Sequence, residues 1–538
     1  MIFRYCNLCY QNISVSIINL RKYGKRVSTK RFKKHEVKKR EAFTAEERKS
    51  KTPIILCKRP MFNFYQGDIY SKYEEIPLNS KGWNRSDSKG DHFCIYPEKT
   101  LTLDEDIKMS TFEKFDLDPS LCKKLQEIGH TTPLKIQECA IPKILSGLNT
   151  VIAAETGCGK TMAYLIPLID QILNWKPMLE RPLNSPLGLI VTPSRELAIQ
   201  IGEEAKKLSN GLGISTKILI GGKTKRLVSR LPMDDVDLVV ASFGVISKLT
   251  TFKIYKLYCV KHIVLDEADA LFHESFDGKL NVFMNRLQIA HEPIIDENGM
   301  PKNAQLTLAS ATMPQRISEV LGSIVNVDSL VKVVTEQLHR ISVPQTFVRL
   351  GPSQKPYQLL KFIKPKVKSK EPVIIFSNNI ATCDFINMFL NDCGINNICL
   401  NGNMPLELKQ GKYQEFKNGK VNVLSTTNIG SRGLDTVMVR HILNYEFPMD
   451  TADYIHRCGR VGRVGSHQDC KIVNFISSAL EIKMAQKIER AIRKRKPIPI
   501  FNIMKEKIED DLEPLFSPDD GQEDDIIQDI NDEGSIPY

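Results

Sequence analysis

Two short runs carry residue types that can hold and cleave a nucleoside triphosphate. The first is Ala154-Glu155-Thr156-Gly157-Cys158-Gly159-Lys160-Thr161, and the second, roughly a hundred residues later, is Asp266-Glu267-Ala268-Asp269 behind the apolar run Ile263-Val264-Leu265. In the first run, glycines let backbone N–H groups converge on β- and γ-phosphates, and the start of the following helix adds positive potential. Lys160 would neutralise those phosphates and Thr161 would ligate magnesium. Asp266 would hold the metal through water, and Glu267 would orient or deprotonate the attacking water. Cys158, inside the loop, is a small filler or, at a helix N-terminus, a thiol with a depressed pKa.

Such a site needs strands that end beside one another, and the chain supplies them. From about Leu101 to Thr335, apolar runs alternate with helical stretches, with strand candidates at Thr150 to Ala154, Leu187 to Thr192, Lys217 to Ile220, Leu238 to Ala241, His262 to Asp266 and Gln305 to Ala309. A second series follows at Val373 to Ser377, Asn397 to Leu400, Val421 to Thr426, His441 to Tyr445 and Lys471 to Phe475. Both series predict an α/β fold with two tandem domains, each a parallel sheet flanked by helices. The expected division is an N-terminal arm over 1–45, a poorly ordered extension over 46–108, a first domain over 109–336, a linker over 337–352, a second domain over 353–505 and an acidic disordered tail over 506–538.

Composition narrows the class. The 538-residue chain is 42% hydrophobic and has a net charge of +12, although about a dozen Asp and Glu and no Lys or Arg lie from Glu509 onward. A basic body of this kind favours a polyanionic partner, nucleic acid above all. No apolar stretch is long enough to cross a bilayer, so no membrane partner is expected. Thirteen cysteines are scattered without a framework, which points to a reducing compartment. Cys6 and Cys9 form a lone pair with no second pair nearby to complete a zinc site.

Met1 to His35 carries Arg4, Arg21, Lys22, Lys25, Arg26, Lys30, Arg31, Lys33 and Lys34 and no acidic residue. With the apolar stretch Ile13 to Leu20, it predicts a mitochondrial transit peptide and a matrix location. The rival reading takes Lys30 to Arg40 as a nuclear or nucleolar address or a solvated RNA-touching arm. Ile488 to Lys496 reads as a basic terminal helix, either solvated or holding structured RNA.

The set resembles the DEAD-box RNA helicases of superfamily 2 from Phe112 to Arg463. That resemblance implies two RecA-like domains, ATP and magnesium as cofactors, and RNA as a sequence-independent partner. Phe112, Gly129, Pro133 and Gln137 are similar to the family's adenine-reading segment, with His130 where an aromatic is usual. Thr192-Pro193-Ser194-Arg195-Glu196-Leu197-Ala198 resembles its RNA-backbone motif, placing Pro193 and Arg195 on RNA. Gly222 matches its double glycine, Ser310-Ala311-Thr312 its coupling motif, and Ser377, Asn378 and Gly402 its second-domain RNA contacts. Ser431 to Asp435 resembles the motif whose aspartate meets the ATP ribose, with Thr427 on the RNA side. His456 to Arg463 looks like its last motif, with His456 in coupling and Arg460 and Arg463 reaching the γ-phosphate.

Departures from the family pattern carry their own expectations. Ala241-Ser242-Phe243-Gly244-Val245 stands where the family has Thr-Pro-Gly-Arg, leaving Gly244 as the RNA candidate. Asn428 replaces an Asp, and Leu406 and Lys409 stand where Gln and Arg are common. None of these removes a phosphate, metal or water ligand, so intact ATPase chemistry with altered RNA coupling is implied. The function expected is an RNA-dependent ATPase that locally unwinds or remodels RNA, in mitochondrial RNA metabolism or ribosome assembly with ribosomal RNA and proteins as partners, its core monomeric. The competing classes are a catalytically dispensable RNA-binding scaffold and a nuclear helicase of ribosome biogenesis.

Overall fold

The computed structural model describes residues 52–65, 70, 74–97, 111–222, 235–272, 276–289, 294, 296–297, 300–313, 316–336, 338–428, 436–463 and 465–503. The basic arm, the Cys6/Cys9 pair, the 431–435 motif with Asp435, and the acidic tail lie outside them. Sixteen strands are described: β1 (Pro53–Cys57), β2 (Phe64–Tyr65), β3 (His92–Ile95), β4 (Thr150–Ala153), β5 (Gly188–Thr192), β6 (Thr216–Leu219), β7 (Leu238–Ser242), β8 (His262–Asp266), β9 (Gln305–Ser310), β10 (Val331–Val334), β11 (Gln345–Arg349), β12 (Val373–Ser377), β13 (Ile398–Leu400), β14 (Val423–Thr427), β15 (His441–Asn444) and β16 (Lys471–Ile476).

The first lobe is a seven-stranded sheet in the order β10-β4-β9-β8-β5-β7-β6, with every neighbouring pair parallel. Alternate residues of one strand feed two different cores. Ile263 and Leu265 of β8 join Val151, Leu189 and Leu306 on one face, while Val264 joins Ile152, Ile190 and Val240 on the other. A strand buried on both faces must be continuously apolar, which is why β8 reads as an unbroken hydrophobic run before its terminal aspartate.

The second lobe holds β13-β14-β12-β15-β16-β11, also parallel, and this sheet continues with β3, β1 and β2 in antiparallel pairing. Two expectations are corrected here. The stretch 337–352 is not all linker, because Gln345–Arg349 is strand β11 of the second sheet. The extension over 46–108 is not all poorly ordered, because Pro53–Cys57, Phe64–Tyr65 and His92–Ile95 are strands that join the second lobe although they precede the first lobe in sequence.

This N-terminal strap is held by apolar and ionic anchors. Phe93 stacks on Phe347 at 4.8 Å between ring centroids and tilts against the buried Trp83 at 5.3 Å. Arg349, itself buried, donates from Nε to the Trp83 carbonyl at 2.9 Å. The helix Ala479–Arg493, capped by Ser478 and Glu481, lies against the strap and supplies the charges. Glu489, fully buried, accepts from the backbone N–H groups of Asn79 (2.8 Å) and Ser80 (3.1 Å) and from the Ser80 hydroxyl (2.6 Å). Its balancing cation is Arg493, 2.8 Å away, which also donates to the Phe62 carbonyl at 2.6 Å. The expected basic helix is therefore only partly a solvated or RNA-facing surface: Arg490 and Lys494 to Lys496 are exposed, whereas Arg493 is spent on the strap.

Removing one partner of a buried pair leaves an uncompensated charge, which costs about 3–5 kcal/mol. Glu489→Ala is expected to lower unfolding stability in urea by that amount, since Arg493 and two strap N–H groups lose their acceptor together. A loss below about 1 kcal/mol, the scale of an ordinary surface change, would contradict the anchoring described.

Candidate ATP and RNA site

Apart from Phe112 and Gln137, which precede β4, the expected functional residues that the structure describes gather at the carboxyl ends of the parallel strands or in the turns and helices that follow them, where open α/β sheets bind ligands. In the first lobe the phosphate loop follows β4, Ser310 ends β9 and Asp266 ends β8. Pro193 and Arg195 follow β5, Gly244 follows β7 and Gly222 follows β6. The nucleotide candidates thus occupy β4, β9 and β8, and the RNA candidates the adjoining β5, β7 and β6. The second sheet divides the same way. Ser377 and Asn378 leave β12, Gly402 follows β13 and Thr427 ends β14, while His456, Arg460 and Arg463 come from the helix Thr451–Cys458 and the turn after it, beyond β15.

Within the loop, Gly157 (φ +83°) and Gly159 (φ +98°) hold left-handed conformations that side chains rarely adopt. Contact adds a second constraint at Gly157, where a Cβ would lie 2.7 Å from Cγ of Arg463. Lys160 Nζ donates to the loop carbonyls of Ala154 (2.6 Å) and Glu155 (2.8 Å), and Glu155 Oε2 accepts from the Thr335 hydroxyl at 2.6 Å. Cys158 is the filler: burial raises its thiol pKa, so the activated-thiol reading is set aside.

Asp266 is buried, and desolvation together with the Glu267 charge lifts its carboxyl to about 6. Its Oδ1 accepts from the Glu267 N–H at 2.8 Å, and its Oδ2 from the Tyr164 hydroxyl at 2.8 Å. Glu267 sits at φ +48°, a strained conformation for a non-glycine residue, and its Oε2 is buried with no hydrogen-bond partner among the described residues. A desolvated, unpaired carboxylate oxygen beside a phosphate loop suits an incoming water. The donor set Thr161 hydroxyl and Asp266 carboxylate is hard and oxygen-based, as magnesium requires.

The two lobes meet across this centre. Asp269 Oδ2 accepts from the Thr312 hydroxyl at 2.6 Å and pairs with His456 Nε2 of the other lobe at 2.9 Å. Burial opposes ionisation of Asp269, but the His456 charge and the hydrogen bonds of His456 and Thr312 outweigh it and hold the carboxyl well below its usual range. For His456, burial is likewise outweighed by Asp269, and its pKa is raised. Arg460 Nη2 lies 4.0 Å from Glu267 Oε1. Thr156 donates to the Gly459 carbonyl at 2.8 Å, and a Cβ on Gly459 would collide with that same Thr156 hydroxyl. Both arginines expected at the γ-phosphate therefore stand at the phosphate loop and its acidic partner, Arg460 at Glu267 and Arg463 at Gly157.

The adenine-reading expectation is only partly matched. Phe112 is buried in the lobe core beside Phe115, 6.2 Å between centroids. The Gln137 amide is engaged by protein: Oε1 accepts from Leu134 N–H at 2.9 Å and Nε2 donates to the Gly159 carbonyl at 3.2 Å, which fixes the phosphate loop. A cavity of about 730 Å³ opens between the lobes beside the loop, and Leu134, Ile136 and Cys139 line it together with Thr156, Gly157, Gly459 and Arg463. Phe112, His130 and Gln137 do not.

On the RNA side, Ser194 caps the helix Arg195–Ser209 by accepting from Leu197 N–H at 3.2 Å, leaving Pro193 and Arg195 at its mouth. Gly222 and Gly244 are exposed, with open space where a Cβ would stand. Asn378 donates from Nδ2 to the Phe447 carbonyl (3.0 Å) and accepts from Arg457 (2.7 Å), and Ser377 donates to the Asn379 carbonyl at 3.2 Å. Asn428, the departure from aspartate, accepts from Arg457 Nε at 2.6 Å, and burial lowers the Arg457 pKa to about 10. Lys409, another departure, makes a buried cross-lobe ion pair with Glu196 at 2.8 Å. Sequence reasoning assigned no role to Asp269, Tyr164, Glu196 or Arg457. For Asp269 the signal was present in the tetrapeptide itself; for Glu196 and Lys409, 213 residues apart, only the fold brings the pair together.

Comparison with known proteins agrees with this geometry. Residues 134–320 match the DEAD/DEAH box helicase family and residues 354–465 the helicase conserved C-terminal domain. The chain is 34% identical over 461 residues to the probable ATP-dependent RNA helicase DDX28 of Mus musculus, covering 83% of this chain and 85% of the relative, and 33% identical to its Homo sapiens counterpart over the same length. Among solved structures, S. cerevisiae Dbp5 bound to RNA and ADP BeF3 shares the fold with a TM-score of 0.59 at 22% identity, covering 75% of this chain and 99% of that one. Mss116p bound to ssRNA and AMP-PNP does so with a TM-score of 0.60 at 23% identity, over 76% and 80% of the two chains. With both domains matched in order and Glu267, the phosphate loop, Arg460 and Arg463 brought to one cleft, the chain belongs to the DEAD-box family of ATP-dependent RNA helicases.

Proposed function

We propose that this helicase works by closing its two lobes over one ATP and a short stretch of single-stranded RNA, prying duplexes open locally, and that it does so in the mitochondrial matrix. The observation that carries the first part is the division of one catalytic centre between lobes: Glu267 and Asp269 on one side, Arg460 and His456 on the other. A set of this kind is complete only on closure. An arginine acting on the γ-phosphate is worth roughly 10³ to 10⁵ in rate, or about 4–7 kcal/mol, so an open enzyme should be nearly idle.

In this reading, loop N–H groups and Lys160 bind the phosphates, Thr161 and Asp266 hold magnesium, and Glu267 orients the attacking water. Magnesium, when bound, would neutralise charge on the β- and γ-phosphate oxygens. Ser310 and Thr312 tie the centre to Asp269 and so to His456, coupling hydrolysis to the lobe seam. Pro193, Arg195, Gly222 and Gly244 would face RNA from the first lobe, and Ser377, Asn378, Gly402 and Thr427 from the second. Asp435 would meet the ribose. RNA bound across both would pay part of the entropy of closure, linking its affinity to that of ATP.

The matrix location rests on the acid-free basic segment from Met1 to His35. Ribosomal RNA and basic ribosomal proteins are the proposed partners, the latter for the acidic tail.

Two measurements test these readings. His456 gains a partner on closure and its pKa rises above 6.5, so the stabilisation it gives the closed state is fully present below pH 6.5 and is lost as pH climbs through the raised value. RNA affinity in the presence of a non-hydrolysable ATP analogue, followed by fluorescence anisotropy, should weaken as pH rises through that window, and His456→Gln should flatten the profile. An identical slope in both proteins would refute the linkage. For location, a tagged full-length chain should image in mitochondria and a chain lacking Met1 to Arg40 should not; an unchanged nuclear signal in both would end the matrix proposal.

A further inference from the structure

Tyr164 stands on the helix Lys160–Trp175, one turn past the phosphate loop, with its ring fully buried in the lobe core. It belongs to the apolar cluster of that core. The hydroxyl is therefore an added polar group in an apolar place, which costs free energy unless it is hydrogen-bonded. Its partner is specific: it donates to Asp266 Oδ2 at 2.8 Å. The phenol thus ties Asp266, at the end of β8, to the helix that carries Thr161, the other group the magnesium reading assigns to the metal.

We propose that Tyr164 is a positioning residue for the metal site: its hydroxyl, on the helix that carries Thr161, holds the Asp266 carboxylate in the arrangement that a magnesium–nucleotide complex requires. The reasoning is geometric. Asp266 has one oxygen held by the Glu267 N–H and the other by Tyr164, so both rotation and tilt of the carboxylate are fixed while lone pairs on each oxygen stay available. Outer-shell donors of this kind orient ligands and set metal affinity without touching the metal.

The proposal rests on the magnesium-nucleotide reading of the site, and the test separates the two. Binding of a fluorescent ADP analogue to the full chain is titrated with magnesium and, separately, measured in EDTA, for wild type and Tyr164→Phe. The expected result is a rise of roughly tenfold or more in the magnesium concentration giving half-maximal tightening, with the EDTA affinity within about twofold and the thermal midpoint within a few degrees of wild type. Manganese binding followed by electron paramagnetic resonance in the presence of ADP should weaken in parallel. Equal magnesium midpoints for the two proteins would overturn the role of Tyr164 while leaving the site intact. A variant that loses EDTA affinity to the same degree would show that the hydroxyl shapes the loop and not the metal site, which also overturns it. If wild type itself shows no magnesium effect on ADP affinity, the underlying reading fails and the proposal with it.

Discussion

One carboxylate, Asp269, organises the molecule. Only a tenth of its side chain is exposed, its carboxyl is held well below the usual range by His456 and Thr312 against the cost of burial, and it takes a hydroxyl from its own lobe and an imidazole from the other. A buried charge is tolerated only when such partners are in place, so a lobe displaced by even a few ångströms would leave Asp269 without its cation. Neighbouring contacts share that condition. Lys409 with Glu196 and Arg460 with Glu267 are also charges whose partners belong to the opposite lobe. The seam is polar and therefore reversible: water can replace each partner when the lobes separate, which an apolar interface of the same size would resist.

The N-terminal strap adds a topological constraint to this hinge. The chain begins its described part on the second lobe, crosses to build the first, and returns through β11 to complete the second. The strap is therefore joined to the second sheet by hydrogen-bonded strands and by the buried Glu489–Arg493 pair, and it moves with that lobe. Ile95, Tyr96 and Pro97 at its end line the interlobe cavity beside the phosphate loop. A third segment thus lines that cavity besides the two lobes.

Much of this was legible before the fold was known, for physical reasons. Parallel strands buried on both faces are unbroken apolar runs, and β4, β8, β12 and β15 announce themselves in that way. Phosphate chemistry demands glycines, a lysine and a hydroxyl at fixed spacing, so the loop at Ala154 to Thr161 was equally plain. What escaped was long-range. β3 is four residues long, and its apolar character has meaning only opposite Phe347, over two hundred residues away, while β1 pairs in turn on β3. Gln137 illustrates a different limit: the family resemblance implied an amide for adenine, and nothing in the local sequence showed that both ends of that amide also have partners within the protein. Lys409 and Asn428 read as departures from a pattern, and each proves to have its own partner, Glu196 and Arg457.

The measurement closest to the core of this account is steady-state ATP turnover by the purified full chain, with and without saturating single-stranded RNA. Because Arg460 and His456 reach the hydrolytic centre only from the second lobe, RNA that bridges the lobes should raise turnover at least tenfold over a low basal rate. Equal turnover with and without RNA would show that the centre is complete without closure, and would contradict the account.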